Sequence, residues 1–418
     1  MTESRGTRAY VLAMLVLVYA FNFIDRQIVG ILAGPIKAEL GLSDTQLGLM
    51  GGLAFALFYT ALGVPIGLLA DRKSRTWIMT VALALWSGFT ALCGLATNFW
   101  QLFLARMGVG VGEAGGVAPA YSLIADYFPP AERARALGVY SFGIPVGSAA
   151  GILLGGWIAS AVDWRTAFIV VGLAGLLLAP VFRLTVKEPR RGRFDPPRPA
   201  DAAAPSLREV LRTLGGKPGF WLLSFGAGCS SIVGYGLIFW LPSFFGRTYG
   251  LGLVDVSLFY GSIVLVGGVL GIWAGGVLGD RMGAASKAAY ARVPAIAFLL
   301  AVPCYAVGVT ADSLWLGYVF FLLPQALGLA WLGPVLAAVQ GLAPAAMRTT
   351  ASAVFLFVNN LIGLGLGTLF FGLVSDRLAP RFGDESLRYS ILIGLAFYLA
   401  SATLLLFASR RLDRDWAR

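Results

Sequence analysis

The chain has 418 residues, 58% of them hydrophobic and only 13% charged, with a formal net charge of +11 and no histidine. That balance lies outside the range of soluble domains. The missing histidine excludes imidazole proton relays, histidine metal sites and Ser-His-Asp triads, and basic residues scattered over many short segments exclude a single nucleic-acid-binding face.

Apolar runs of spanning length, about 20 residues or more, recur along the whole chain. The first, Ala9–Ala33, carries Asn22, Asp25 and Arg26. The second, Leu47–Ala70, leads into Gly67-Leu68-Leu69-Ala70-Asp71-Arg72-Lys73-Ser74-Arg75, and the third is Thr76–Ala96. The fourth, Phe99–Ala125, is interrupted by Arg106 and Glu113, contains Tyr121 and is followed by Asp126. The fifth, Ala136–Val162, bears Gly143, Gly147, Gly151 and Gly155, a small-residue stripe that lets helix backbones approach, either as static packing or as a sliding face. The sixth is Thr166–Val186.

Residues 187–217 are rich in proline and arginine and read as a cytoplasmic linker. Within it Ser206 and Glu209 form a capping-box start for a short amphipathic helix, Leu207–Leu214. The seventh run, Phe220–Gly246, holds Ser230, Ser231 and Tyr235. The eighth, Val256–Gly279, has its own stripe at Gly267, Gly271 and Gly275 and leads into Gly276-Val277-Leu278-Gly279-Asp280-Arg281. Val293–Ala311 follows, then Ser313–Met347 with Gln325 and Trp331. Thr349–Ser375 contains Asn359 and Asn360, and Tyr389–Ser409 is the last.

No alternating strand pattern occurs, so the expected fold is an all-α membrane protein of twelve transmembrane helices in two pseudo-symmetric six-helix bundles. The predicted division is residues 1–186, a linker at 187–217, and residues 218–418. The loop at Gly67 recurs at Gly276, an offset of half the chain, as in a duplicated transporter. With the N-terminus inside, 24 of the 32 Lys and Arg fall in inner loops and six in outer ones. Both termini are therefore expected in the cytoplasm. Cys93, Cys229 and Cys304 fall in three different runs at no metal spacing and read as packing residues. No cofactor, metal cluster or nucleophile elbow is visible, so no enzymatic activity is expected.

The informative residues are the four charges inside spans. An ionisable group in hydrocarbon costs several kcal/mol unless paired or wetted. Asp25, Arg26 and Arg106 lie at similar depth, roughly 12 Å from the outer end of their spans. Glu113 follows Arg106 by two turns, on the same face and about 10 Å deeper. Fully ionised, the four sum to zero; one proton taken up leaves +1, the sign needed to couple protons to an anionic group. Asp25 reads as a proton switch, and Glu113 as a second proton site or as a structural partner of Arg106. The second half has no charge within a span. Ser230, Ser231, Tyr235, Gln325, Trp331, Asn359 and Asn360, together with Asn22 and Tyr121 of the first half, are the predicted substrate-cavity residues, which suit an amphipathic solute.

The two Gly-Asp-Arg loops resemble the cytoplasmic signature of the major facilitator superfamily, and the resemblance implies a cytoplasmic gate at Gly67, Asp71, Arg72, Arg75, Asp126, Gly276, Asp280 and Arg281. Within that superfamily, Asn22-Phe23-Ile24-Asp25-Arg26, Arg106-Met107-Gly108-Val109-Gly110-Val111-Gly112-Glu113-Ala114, Asp126-Tyr127-Phe128, Ile144-Pro145-Val146-Gly147-Ser148 and Asp163-Trp164 resemble spinster-like lipid transporters. That likeness implies a monomeric bacterial inner-membrane carrier of sphingosine-1-phosphate or lysophospholipids, with proton coupling at Asp25, Arg26, Arg106 and Glu113. The Asp-Arg and Gly-Glu-Ala elements also resemble bacterial organic-anion/proton symporters. A non-transporting membrane receptor on the same fold is the third reading.

Overall fold

A computed structural model of the chain describes residues 4–194, 206–344 and 347–416. The described residues divide into two compact units, one built from residues 1–200 with Leu251–Gly261, the other from 201–250 with Ser262–Arg418.

In the first unit, α1 (Arg5–Ile31) starts at Ser4, whose hydroxyl accepts the Thr7 N–H at 3.1 Å. A short α2 (Ala33–Leu40) ends on Gly41 in the left-handed conformation, φ 63°, which only glycine adopts cheaply. Next, α3 (Asp44–Gly48) opens with a full capping box: Ser43 Oγ accepts from Gln46 N, and Ser43 N donates to Gln46 Oε1. A π turn at Leu49–Leu53 joins α3 to α4 (Ala54–Arg72). The third span is α5 (Arg75–Cys93) and the fourth begins as α6 (Phe99–Glu113). Ala114–Gly116 then interrupt it before α7 (Val117–Tyr127). The fifth span combines α8 (Pro130–Ser141) and α9 (Gly143–Ala161), and the sixth is α10 (Trp164–Thr185), which Asp163 caps by accepting the Thr166 N–H at 2.7 Å.

Pairings within this unit follow the small residues. Helix α9 lies on α1: Gly147 sits on the carbonyl of Ala20, and a methyl group at Gly151 would fall 2.7 Å from the carbonyl oxygen of Ile24. Helix α6 lies against both α5 and α4; a methyl at Gly110 would meet the Phe55 carbonyl oxygen at 2.5 Å. The glycine stripe of the fifth span thus packs inside one unit, against the helix that carries Asp25.

The second unit opens with α11 (Leu207–Gly215), where Ser206 accepts the Glu209 N–H at 3.3 Å, the N-cap half of the expected capping box. It continues through α12 (Pro218–Tyr249), most of α13 (Leu253–Ala285), α14 (Ala289–Thr310) and α15 (Leu314–Leu329). A break at Ala330-Trp331 separates α16 (Leu332–Leu342); then come α17 (Arg348–Phe382), α18 (Ser386–Gly394), α19 (Ala396–Ser409) and a terminal turn, α20 (Leu412–Asp415). On α13, Gly271 and Gly275 seat the carbonyls of Ala326 and Ala330, so the second stripe also packs within its own unit.

Among the described residues ten stretches are long and apolar enough to cross a membrane. The last of them, Thr350–Ser409, holds two passes, and α6 with α7 adds the charged one, which accounts for all twelve expected spans.

Candidate functional site

Helices α1 and α6 bring Asp25, Arg26, Arg106 and Glu113 together, in a crossed arrangement. Arg26 Nε donates to Glu113 Oε2 at 2.7 Å, a pair in which the carboxylate has no exposure at all. Arg106 Nη1 instead donates to the backbone carbonyl of Asp25 at 3.3 Å. Of the two roles open to Glu113, partner to an arginine is therefore filled, but by Arg26 across the helix pair rather than by Arg106 on its own helix.

Three aromatic rings enclose the Arg26 guanidinium: Phe23 at 5.1 Å, Phe55 at 4.8 Å and Tyr59 at 4.7 Å from its carbon. Phe55 also faces Arg106 at 5.7 Å. Ring quadrupoles stabilise a desolvated cation by up to about 2 kcal/mol each, which helps hold a guanidinium in a dry site. Asn22 borders the Glu113 carboxylate. Asp25 is 1% exposed, and both its oxygens are buried without a hydrogen bond among the described residues. Beside them lie Trp86 Nε1 and Thr90 Oγ1, the two donors that face the carboxyl. Buried polar groups are nearly always satisfied, so this carboxyl with its ring of polar neighbours is the unusual feature of the span interior.

Tyr121 is half exposed and reaches the same cluster through a ladder of rings. It packs edge-on against Tyr140 at 5.7 Å, Tyr140 stacks on Tyr19 at 4.3 Å, and Tyr19 meets Phe23 at 5.2 Å. Tyr19, Phe23, Phe55, Tyr59, Trp86, Thr90 and Tyr140 are absent from the sequence-based list. The one available signal was the aromatic density flanking Asp25-Arg26; the rest arrive from distant helices.

In the second unit Ser231 Oγ donates to Asn359 Oδ1 at 2.8 Å, and Asn359 Nδ2 to Asn360 Oδ1 at 3.3 Å. Ser230 is spent on the Ala227 carbonyl. Tyr235 and Gln325 are half-buried, each against a glycine of a neighbouring helix, Gly363 and Gly267. Trp331 is buried edge-on to Phe355 at 6.3 Å. Ser231, Asn359 and Asn360 thus form a connected polar group.

The loop between α4 and α5 is built around Arg75, 1% exposed. It pairs with Asp126, as expected, and with Glu188 Oε1 at 2.7 Å, and it donates to Ser122 Oγ and the Pro189 carbonyl. Glu188 Oε2 also accepts the Thr76 N–H at 2.9 Å, at the N-terminus of α5 where anions are favoured. Burial pushes the Glu188 carboxyl upward, but the Thr76, Arg75 and Ser74 hydrogen bonds outweigh it and leave it below its ordinary range. Gly192 N donates to Asp126 Oδ1, and Arg191 holds the carbonyls of Ala70 and Lys73. The first stretch of the expected linker is therefore bound to the first unit. Arg72 and Arg281 are exposed, Gly67 and Gly276 leave open space where a side chain would start, and the side chains of Asp71 and Asp280 lie outside the described ones.

Residues 15–368 match the sequence model of the Major Facilitator Superfamily. The chain is 34% identical over 403 residues to an MFS-type efflux pump of Mycolicibacterium smegmatis, spanning 96% of this chain and 92% of that one. It is 31% identical over 296 residues to a probable sulfoacetate transporter of Cupriavidus necator, 68% of this chain and 67% of that protein. Its fold is similar to the crystal structure of a bacterial homolog of the human lysosomal transporter Spinster, inward-facing and unoccupied, with a TM-score of 0.90, 32% identity and full coverage of both chains. The duplicated signature loop, the twelve helical spans and these likenesses agree: the chain belongs to the major facilitator superfamily as a spinster-like membrane transporter and not an enzyme.

Proposed function

We propose that the protein carries an amphipathic, lipid-like solute with an anionic head, of the sphingosine-1-phosphate or lysophospholipid class, by proton-coupled alternating access in a bacterial inner membrane with both termini cytoplasmic. The observation that carries this reading is the crossed cluster of Asp25, Arg26, Arg106 and Glu113. Arg26 is committed to Glu113 at 2.7 Å, whereas the Asp25 carboxyl has no ion-pair partner among the described residues. Arginine keeps its charge at any working pH, so the exchangeable proton belongs on a carboxyl. Protonating Asp25 leaves the cluster at +1 and favours an anionic head group; releasing the proton removes that attraction. A carrier that loses its affinity for the solute when it loses the proton couples the two flows.

The test is uptake of a fluorescent lysophospholipid into proteoliposomes, with and without an imposed pH gradient, beside sulfoacetate as a small anion. Lipid uptake that follows the gradient and disappears in Asp25→Asn is the expected result. A second reading, a proton-coupled symporter of small organic anions, is favoured by the similarity to the probable sulfoacetate transporter; uptake of sulfoacetate alone would establish it. Binding of either solute without movement would leave a receptor.

A further inference from the structure

Helices α4 and α5 both pack on α6 and scarcely touch each other. A groove of about 510 Å³ opens between them, within the usual size of a ligand site. Leu69 of α4 and Trp77 and Val81 of α5 form exposed walls, and the backbone of α6 at Gly112 and Gly115 forms the floor. The floor is glycine because α5 closes on α6 there. A methyl group at Gly112 would lie 2.5 Å from the Trp86 backbone nitrogen, and one at Gly115 would lie 2.8 Å from Ala82 Cβ.

The groove is apolar along its length and charged at one end. There Ser74 Oγ donates to Glu188 at 2.9 Å, Glu188 is paired with Arg75, and Arg183 lies over the Trp77 ring at 4.7 Å, so that among the described residues cations outnumber acids. Lys73, exposed, lines that end. Arg191 is fixed beside it through the carbonyls of Ala70 and Lys73. None of the residues assigned above to proton coupling lines the groove, so nothing in the proposed transport cycle accounts for it. Its position on a membrane-spanning unit exposes the apolar length to acyl chains and the basic end to head groups. An indole at such a boundary, as Trp77 provides, is the usual anchor between the two. A neutral head group has no use for the basic end; a phosphate without a second cationic group does. Charge complementarity therefore selects the occupant.

We propose that this groove binds one anionic phospholipid of the surrounding leaflet, with an acyl chain along Leu69, Trp77 and Val81 and the phosphate at Lys73. Basic residues at a membrane surface attract anionic head groups, so the head group sets the preference and the chain supplies most of the contact. A lipid lodged there bridges α4 and α5, which otherwise meet only through α6. Binding stabilises the folded protein by mass action. The site is independent of which solute is carried.

The experiment is a thermal melt of the purified transporter in detergent, titrated with dioleoyl phosphatidylglycerol or dioleoyl phosphatidylcholine. The melting temperature should rise with phosphatidylglycerol at lower concentrations than with phosphatidylcholine. Lys73→Glu, at an exposed position, should weaken the phosphatidylglycerol response about tenfold and leave the phosphatidylcholine response in place. Val81→Trp, which fills the groove, should abolish the response to both. Equal responses to the two lipids in the wild type, or an unchanged preference in Lys73→Glu, would overturn the proposal whether or not Val81→Trp folds. Because the readout needs no transport, a failure here leaves the reading of the charge cluster untouched.

Discussion

Asp25 and Glu113 are both carboxyls in the interior of the first unit, yet their surroundings assign them different work. Glu113 faces the Arg26 guanidinium at 2.7 Å, and that guanidinium is boxed in by Phe23, Phe55 and Tyr59. Removing one member of a buried pair strands the other charge and costs about 3–5 kcal/mol. Glu113→Gln is therefore expected to lower the melting temperature sharply. Asp25 closes no such pair, so Asp25→Asn, nearly the same in shape, should cost about 1 kcal/mol or less. Thermal melts of the two variants in one detergent check this. Equal losses would mean that Asp25 is as structural as Glu113. Sequence identified all four charges because charge in an apolar run is conspicuous. It did not give the pairing, since helical spacing places Glu113 over Arg106 on one face but says nothing of the side chains that a second helix brings in.

At the scale of elements, the glycine stripes illustrate the same limit. The four-residue spacing on α9 predicts a close helix contact, and the contact exists; only the fold reveals that its partner is α1, one turn at a time from Tyr19 to Ile31. Gly147 rests on the Ala20 carbonyl, so a side chain there must push backbone from backbone. Gly147→Val is expected to destabilise by about 1–3 kcal/mol and to disturb Asp25 through α1, read as a lower melting temperature with reduced uptake. Gly138→Val, at a position with open space, is the control.

The clasp on the loop after α4 was half legible. Arg75 and Asp126 stand out by their motif, whereas Glu188 sits in a Pro- and Arg-rich stretch that reads as a tether. Its depressed carboxyl gives a pH signature. A group whose folded value lies below the unfolded one, about 4.3 for Glu, adds stability above that pH and loses it as the pH falls through the folded value. The wild type should therefore outlast Glu188→Gln at neutral pH, with the difference shrinking below about pH 4. A constant difference across that range would assign the effect to the Thr76 and Ser74 hydrogen bonds alone.

Across the whole molecule the twelve spans and the repeated loop were legible because hydrocarbon thickness and charge placement constrain sequence strongly. The interruptions at Leu49–Leu53, Ala114–Gly116, Ala330-Trp331 and Leu395 were not, since each costs only a local shift in backbone hydrogen bonding that no periodicity records. What duplication left unequal is the chemistry. Among the described residues the buried carboxyls and arginines within spans belong to the first unit, whereas Ser231, Asn359 and Asn360, a connected polar group of the second, are neutral. A neutral group cannot hold a proton at working pH, so coupling and selectivity should separate by unit. Asp25→Asn is expected to abolish uptake driven by a pH gradient while retaining exchange of solute across a membrane without one. Asn359→Leu should do the reverse, changing the apparent affinity for the solute while keeping the dependence of uptake on the gradient. Both are measured in proteoliposomes, by gradient-driven uptake and by counterflow at equal pH. If Asn359→Leu loses the gradient response as well, the proton site extends into the second unit and the division of labour is wrong. If Asp25→Asn loses counterflow together with coupling, Asp25 holds the solute as well as the proton.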